Sequence, residues 1–153
     1  MCDPLLAYFI DEAHEEWRRQ FCVEHPELRE RVKREVQMAN TGERIWVNDK
    51  DELPNSTPTG RTIDILKMRG SELPSQFTNQ MEAVGECLFG TVKSGTTDIE
   101  VLASIAHNKW MGMNASLKPV QPRLFVQYEQ LDEIEKEKDR VFARIALRLA
   151  RVS

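Results

Sequence analysis

Long apolar runs are missing from this chain of 153 residues. Its uncharged stretches, such as Leu102–Asn108, fall far short of the roughly 20 apolar residues that a membrane helix needs, so no membrane partner is expected. Cysteine is scarce. The three present, Cys2, Cys22 and Cys87, are odd in number and widely spaced, which argues against a disulfide framework and a zinc knuckle. Cys22 and Cys87 are expected as buried hydrophobes. No basic segment precedes an apolar stretch near Met1, and acids enter by Asp11 and Glu12, so no secretory leader is expected and a cytoplasmic location follows. A basic excess is also lacking: 25 acidic residues stand against 21 basic ones, which argues against a dedicated nucleic-acid binder.

The signatures of catalysis are equally thin. His14, His25 and His107 show no metal-ligand spacing, and no pair stands at i, i+4, so neither a metal nor another cofactor is expected. The letters Asp11-Glu12-Ala13-His14 match the box of one helicase class. That chemistry needs a Gly-x-x-x-x-Gly-Lys-Ser/Thr loop, which is absent, so the four residues read as the wet side of an amphipathic helix plus one alanine. No glycine-flanked elbow surrounds a serine or cysteine. The glycine and hydroxyl stretch Gly90–Thr97 could offer backbone amides to a phosphate beside Lys93, but it reads more simply as a connecting loop. The chain is not expected to be an enzyme.

What is present is a pattern for one mainly helical α+β domain spanning residues 1–153, with about five helices and two or three short strands. A chain of this length can bury roughly 70% of its unfolded surface, enough for a core without staples. Asp3-Pro4 marks a helix start, and Leu6, Ile10, Ala13, Trp17 and Phe21 repeat at helical spacing up to about Val23. After His25-Pro26 a second, charged helix is expected from Glu27 to Met38, on Leu28, Val32 and Val36. Ile45–Val47 reads as a short strand, Asn48–Arg61 as a polar mobile loop, and Thr62–Leu66 as a second strand. Ser75 caps a third helix with Phe77, Met81, Val84, Leu88 and Phe89 inward, where Gly85 needs a close neighbouring helix to justify it. Asp98 opens a fourth helix to about Met111. Leu124–Val126 resembles an edge strand, and Asp132 with Glu135 forms a capping box for the last helix, whose Val141, Phe142, Ile145, Ala146 and Leu149 face inward. Along that helix Glu133 and Glu137 should pair with Lys136 and Arg140.

The first and fourth helices echo each other: Ala13-His14-x-x-Trp17 against Ala106-His107-x-x-Trp110, each placing an imidazole beside an indole. Downstream of the second copy stand Gln121-Pro122-x-Leu124, Val126-x-Tyr128-x-x-Leu131 and Glu135-Lys136-x-x-Asp139-Arg140. With His107-x-x-Trp110 this series resembles the ryanodine-receptor (RyR) domain, a small module also found in bacterial and phage proteins. The resemblance covers about residues 99–150. The chain departs from the family pattern at Met111–Asn114, where an aromatic glycine turn is usual, at Gln121 in place of histidine and at Asn108 in place of glutamate.

The resemblance implies no reaction. It implies a non-catalytic small-ligand module, and a nucleotide or other phosphate-bearing signal is the expected ligand because RyR-like modules occur beside nucleotide-signalling and defence genes. Its place would be between the fourth helix and the Leu124–Tyr128 segment. Arg123 would pair with phosphate, Trp110 or Tyr128 would stack a base, and His107 or Lys109 would donate. The alternative is a structural or interaction protein, phage-encoded or bacterial, whose aromatic patches meet a protein partner or a second copy in a homo-oligomer. A third reading, a helical nucleic-acid binder using Arg144, Arg148 and Arg151, would show binding that falls steeply with salt.

Overall fold

The computed structural model describes residues 4–152. Helix α1 (Pro4–Glu24) buries Leu6, Ile10, Ala13 and Phe21 of the expected stripe, with Phe9 and His14 buried as well and Trp17 half-buried. It stops at His25, whose N–H still reaches the Phe21 carbonyl at 2.8 Å, because Pro26 forces His25 away from helical angles. The expected Asp3 cap lies outside the described residues.

The region expected as a second helix is instead a strand. β1 (Val32–Met38), β2 (Arg44–Asn48) and β3 (Ser56–Asp64) form an antiparallel sheet in the order β2-β1-β3. Val32 and Val36, four apart, fit a helix and a strand equally; the partner strand decides. Asn40–Gly42 turns the chain, with Gly42 at φ +71°, so that Val36 lies opposite Ile45 and Arg34 opposite Val47. Val36, Ile45, Val47 and Leu53 then close a second small core with Leu117, reached by the half-buried Val120 and Phe125.

The expected Asn48–Arg61 loop likewise gives way to a strand for half its length. Thr57, Thr59 and Thr62 suit extended backbone, and Pro58 is tolerated because β3 is an edge, with a register shift where Arg34 and Val36 meet it. The strand expected over Thr62–Leu66 ends at Asp64. Its side chain accepts from Leu66 N and starts a 3₁₀ turn at Ile65–Lys67.

Helices α2 (Ser75–Lys93), α3 (Ile99–Met113) and α4 (Glu133–Arg151) complete four α-helices among the described residues, where five were expected. Asp98 caps α3 as expected, accepting from the N–H groups of Glu100 and Val101. Ser75 and Asp132 make no side-chain cap: Pro74 holds the N-cap position of α2, and the Asp132 carboxylate bonds none of the amides of α4. Leu124–Val126 is not a strand. Pro122 starts a 3₁₀ turn through Leu124, and the segment pairs with neither edge of the sheet.

α1 and α3 each pack against both α2 and α4, and α2 packs against α4. Phe9, Leu88, Leu102, Ala103, Ala143 and Ala146 are fully buried where these helices meet. Small residues set the approach. A Cβ on Gly85 would lie 2.9 Å from a Phe9 ring carbon, so the glycine that costs α2 some helix propensity is what lets α1 in. Each buried leucine or phenylalanine here contributes roughly 1.5–3 kcal/mol.

Candidate functional site

The internal echo is realised in three dimensions. His14 is 4% exposed, and its Nε2–H donates to the Ile65 carbonyl at 2.9 Å; His107 is equally buried and donates to the Val126 carbonyl at 2.7 Å. Each ring stacks on the indole three residues on, His14 on Trp17 at 5.4 Å and His107 on Trp110 at 6.3 Å. His14 is therefore not on a wet helix face, which corrects that expectation. A carbonyl only accepts, so Nε2 carries the proton in both rings. Each histidine is a latch from a helix to the segment leading toward the next helix.

Those segments also match. Gly70–Glu72 and Tyr128–Gln130 are 3₁₀ turns closed by the same bond: Arg69 N–H to Glu72 Oε1 at 2.8 Å, and Gln127 N–H to Gln130 Oε1 at 3.2 Å. Buried Leu73 and Leu131 follow before α2 and α4 begin. The chain is thus two helix–turn–helix halves, the first interrupted by the sheet.

Of the five residues expected to bind ligand, His107 and Trp110 are brought together, but the space beside them is filled. The Trp110 ring packs against Phe125 at 5.3 Å, and the Val126 carbonyl occupies His107. Lys109 is exposed on α3, and exposed Arg123 lies 3.5 Å from Glu135 rather than beside the imidazole. Tyr128 is buried. Its hydroxyl donates to Glu100 at 3.1 Å, and Arg140 grips the same carboxylate through two nitrogens at 2.8 and 2.9 Å. Burial and the Glu100 carboxylate push the phenol up to about 12.

Tyr128 does border an open cleft of about 370 Å³, lined also by Asp98, Glu100, Val101, Ser104, Glu129 and Lys136. In the first half, Gly70 stands where Tyr128 stands in the second. A Cβ there would lie 2.8 Å from the Ile10 carbonyl, so the turn closes directly on α1 and Ser71 N–H reaches Asp11. The cleft is lined by three carboxylates and one ammonium, the wrong balance for a phosphate. The expected phosphate stretch fares similarly: Gly90–Lys93 is the last turn of α2, and the N-terminus of α3 is filled by Asp98. Cys22 is exposed and Cys87 half-buried, neither the buried hydrophobe expected.

The charged groups that sequence reading missed sit on and beside β1. Glu35 is 4% exposed, accepting from Thr59 Oγ1 at 2.8 Å and from Arg61, whose guanidinium lies over the Trp46 ring. Lys33 Nζ donates to Asn48 Oδ1 at 2.6 Å and sits over Phe77. Burial, with Arg31 and Lys138 nearby, brings its ammonium down to about 8, against the opposing pull of Asp51. The outer edge of β2 is closed by Gln76, which accepts from Trp46 N–H at 2.5 Å and donates to its carbonyl at 3.1 Å. Once this stretch is taken as a strand, the period of two in Lys33-Arg34-Glu35-Val36 puts Lys33 and Glu35 on one face. Among the described residues no His, Cys, Asp and Glu group could hold a metal ion, and no helix is long and apolar enough to cross a membrane. Comparison with known proteins found no matching family model, no matching curated protein and no matching solved structure.

Proposed function

We propose that this chain is a non-catalytic binding module for a small ligand, similar to the RyR domain, with its binding surface where the sheet meets the helices rather than beside Trp110. One observation carries the reading: the sheet inserted into the first half concentrates charge in burial, with Glu35 enclosed and Arg31 and Lys33 half-buried. Charge taken out of water is costly unless it is used. The groups that acid–base chemistry would need support a non-catalytic role, because His14, His107 and Tyr128 each hold a backbone segment or carboxylate in the core.

The alternative, an interaction protein that meets a partner or a second copy of itself, needs a contiguous apolar patch. Among the described residues the large exposed apolar side chains, Tyr8, Val23, Leu28, Val101, Ile134 and Val152, are spread over α1, the α1–β1 connection, α3 and the two ends of α4.

The test is a thermal-shift screen against nucleotides, cyclic dinucleotides, ADP-ribose derivatives and neutral nucleosides. A ligand at 100 times its dissociation constant adds about 2.7 kcal/mol, several degrees at this size. Protection that survives Trp110→Ala and Arg123→Ala supports a site away from them. Protection abolished by both returns the site to the α3 margin, and no protection by any compound on a well-folded protein ends the small-ligand reading.

A further inference from the structure

Arg31, at the start of β1, is half-buried with its guanidinium 5.8 Å from the centre of the Phe21 ring. Its backbone is fixed from both sides, N–H to Asp64 Oδ1 at 2.9 Å and carbonyl from Ile65 N–H at 3.0 Å. Yet its five side-chain donors make no hydrogen bond or ion pair among the described residues, which is costly for a group removed from water. The ammonium of Lys33, two residues on, has as its hydrogen-bond partner among the described residues only the neutral amide of Asn48. Lys138 of α4 is a third cation near Lys33, held to Glu135 at 3.2 Å. The carboxylate that faces Arg31 and Lys33, Asp51, is already engaged by the Asn48 and Gln121 amides at 3.1 and 3.4 Å.

We propose that Arg31 and Lys33, with Lys138 of α4 near Lys33, bind the oxyanion of a small phosphate-bearing ligand where the sheet meets α1 and α2. This rests on the reading above that the chain binds a small ligand. An arginine with an open fork of donors next to a point-charge ammonium is the combination that takes a phosphate bidentately and neutralises it. The half-buried setting strengthens the attraction relative to open solvent. Phe21 and Phe77 hold the two cations from behind, and α1 continues away from Arg31 as a run of rings, Phe21, Trp17 and His14, each 5.4 Å or less from the next.

The experiment titrates inorganic phosphate into the full chain by calorimetry and thermal shift, against chloride at equal ionic strength. The variants are Arg31→Gln, Lys33→Met and, as a charge-matched control, Arg144→Gln on the outer face of α4. Phosphate should protect beyond chloride, with affinity lowered at least tenfold in the first two variants and less than twofold in the control. Lys33→Met removes a half-buried charge and should stay folded; if it does not, Arg31→Gln, at an ammonium-free position, carries the same test. Equal protection by chloride, or equal loss in the control, overturns the site. So does a single-stranded oligonucleotide that binds with steep salt dependence where inorganic phosphate does not. A nucleotide or nucleoside from the screen that binds both variants with unchanged affinity overturns this site and leaves the binding-module reading standing.

Discussion

His107 donates its Nε2–H to the Val126 carbonyl, and its Nδ1 lies 3.6 Å from the Asp139 carboxylate. Burial, aided by the Glu135 charge, pushes Asp139 from 3.8 up to about 7. The folded state therefore binds the Asp139 proton more tightly than the unfolded chain does. Its stabilising contribution is complete below about pH 4 and is lost as pH rises to about 7. Asp139→Asn should accordingly leave the thermal midpoint at pH 4 nearly unchanged and raise stability at pH 8 by about 1–3 kcal/mol. A midpoint difference that is the same at both pH values would show that Asp139 does not titrate in this range. His14 acts in the opposite direction. Burial lowers its pKa below 6.5, so the unfolded state takes up the proton first and stability falls as pH drops through that value. His14→Ala removes the Ile65 bond and the Trp17 stack from a 4% exposed site, and urea denaturation should show a loss of about 2–4 kcal/mol.

Among the elements, β2 and α2 depend on single side chains at their meeting points. β2 is an edge strand whose outward-facing Trp46 N–H and carbonyl are both satisfied by the Gln76 amide, so a helix residue does the work of a neighbouring strand. Gln76→Leu should cost about 1–3 kcal/mol and promote self-association through the freed edge, measured by denaturation and light scattering. In α2, Gly85→Ala would gain about 1 kcal/mol of helix propensity on an exposed surface. Here the new methyl meets the Phe9 ring at 2.9 Å, and overpacking of about 1–3 kcal/mol should win, giving a lower midpoint. A higher midpoint would mean that Phe9 has room to move.

Taken whole, the molecule interlocks its halves. α1 packs on α2 from its own half and α4 from the other, and Glu12 of α1 forms an ion pair with Arg148 of α4. The sheet, inserted in the first half, borrows Leu117, Val120 and Phe125 from the connection in the second. A fragment beginning at Gly70 would expose Val84, Leu88 and Phe89 where α1 lay and should show no cooperative thermal transition by circular dichroism. A cooperative transition in that fragment would show that the second half folds alone.

The sequence by itself determined what depends on neighbours along the chain. Helical stripes, the Pro26 stop, the Asp98 cap, the i, i+3 pairs of α4 and the His–Trp echo are local, so spacing alone places them. Only the tertiary structure decided what depends on a partner from elsewhere. Val32 and Val36 became strand rather than helix because Ile45 and Val47 pair across a turn, and that pairing revealed Lys33 and Glu35 as one charged face. The five expected binding residues were rightly seen as polar and aromatic, but whether an imidazole meets a ligand or a backbone carbonyl turns on residues 19 or 51 positions away in the chain. Arg31 is the converse case. One charged residue among many in the sequence, it acquires meaning only when folding half-buries it and leaves its donors open.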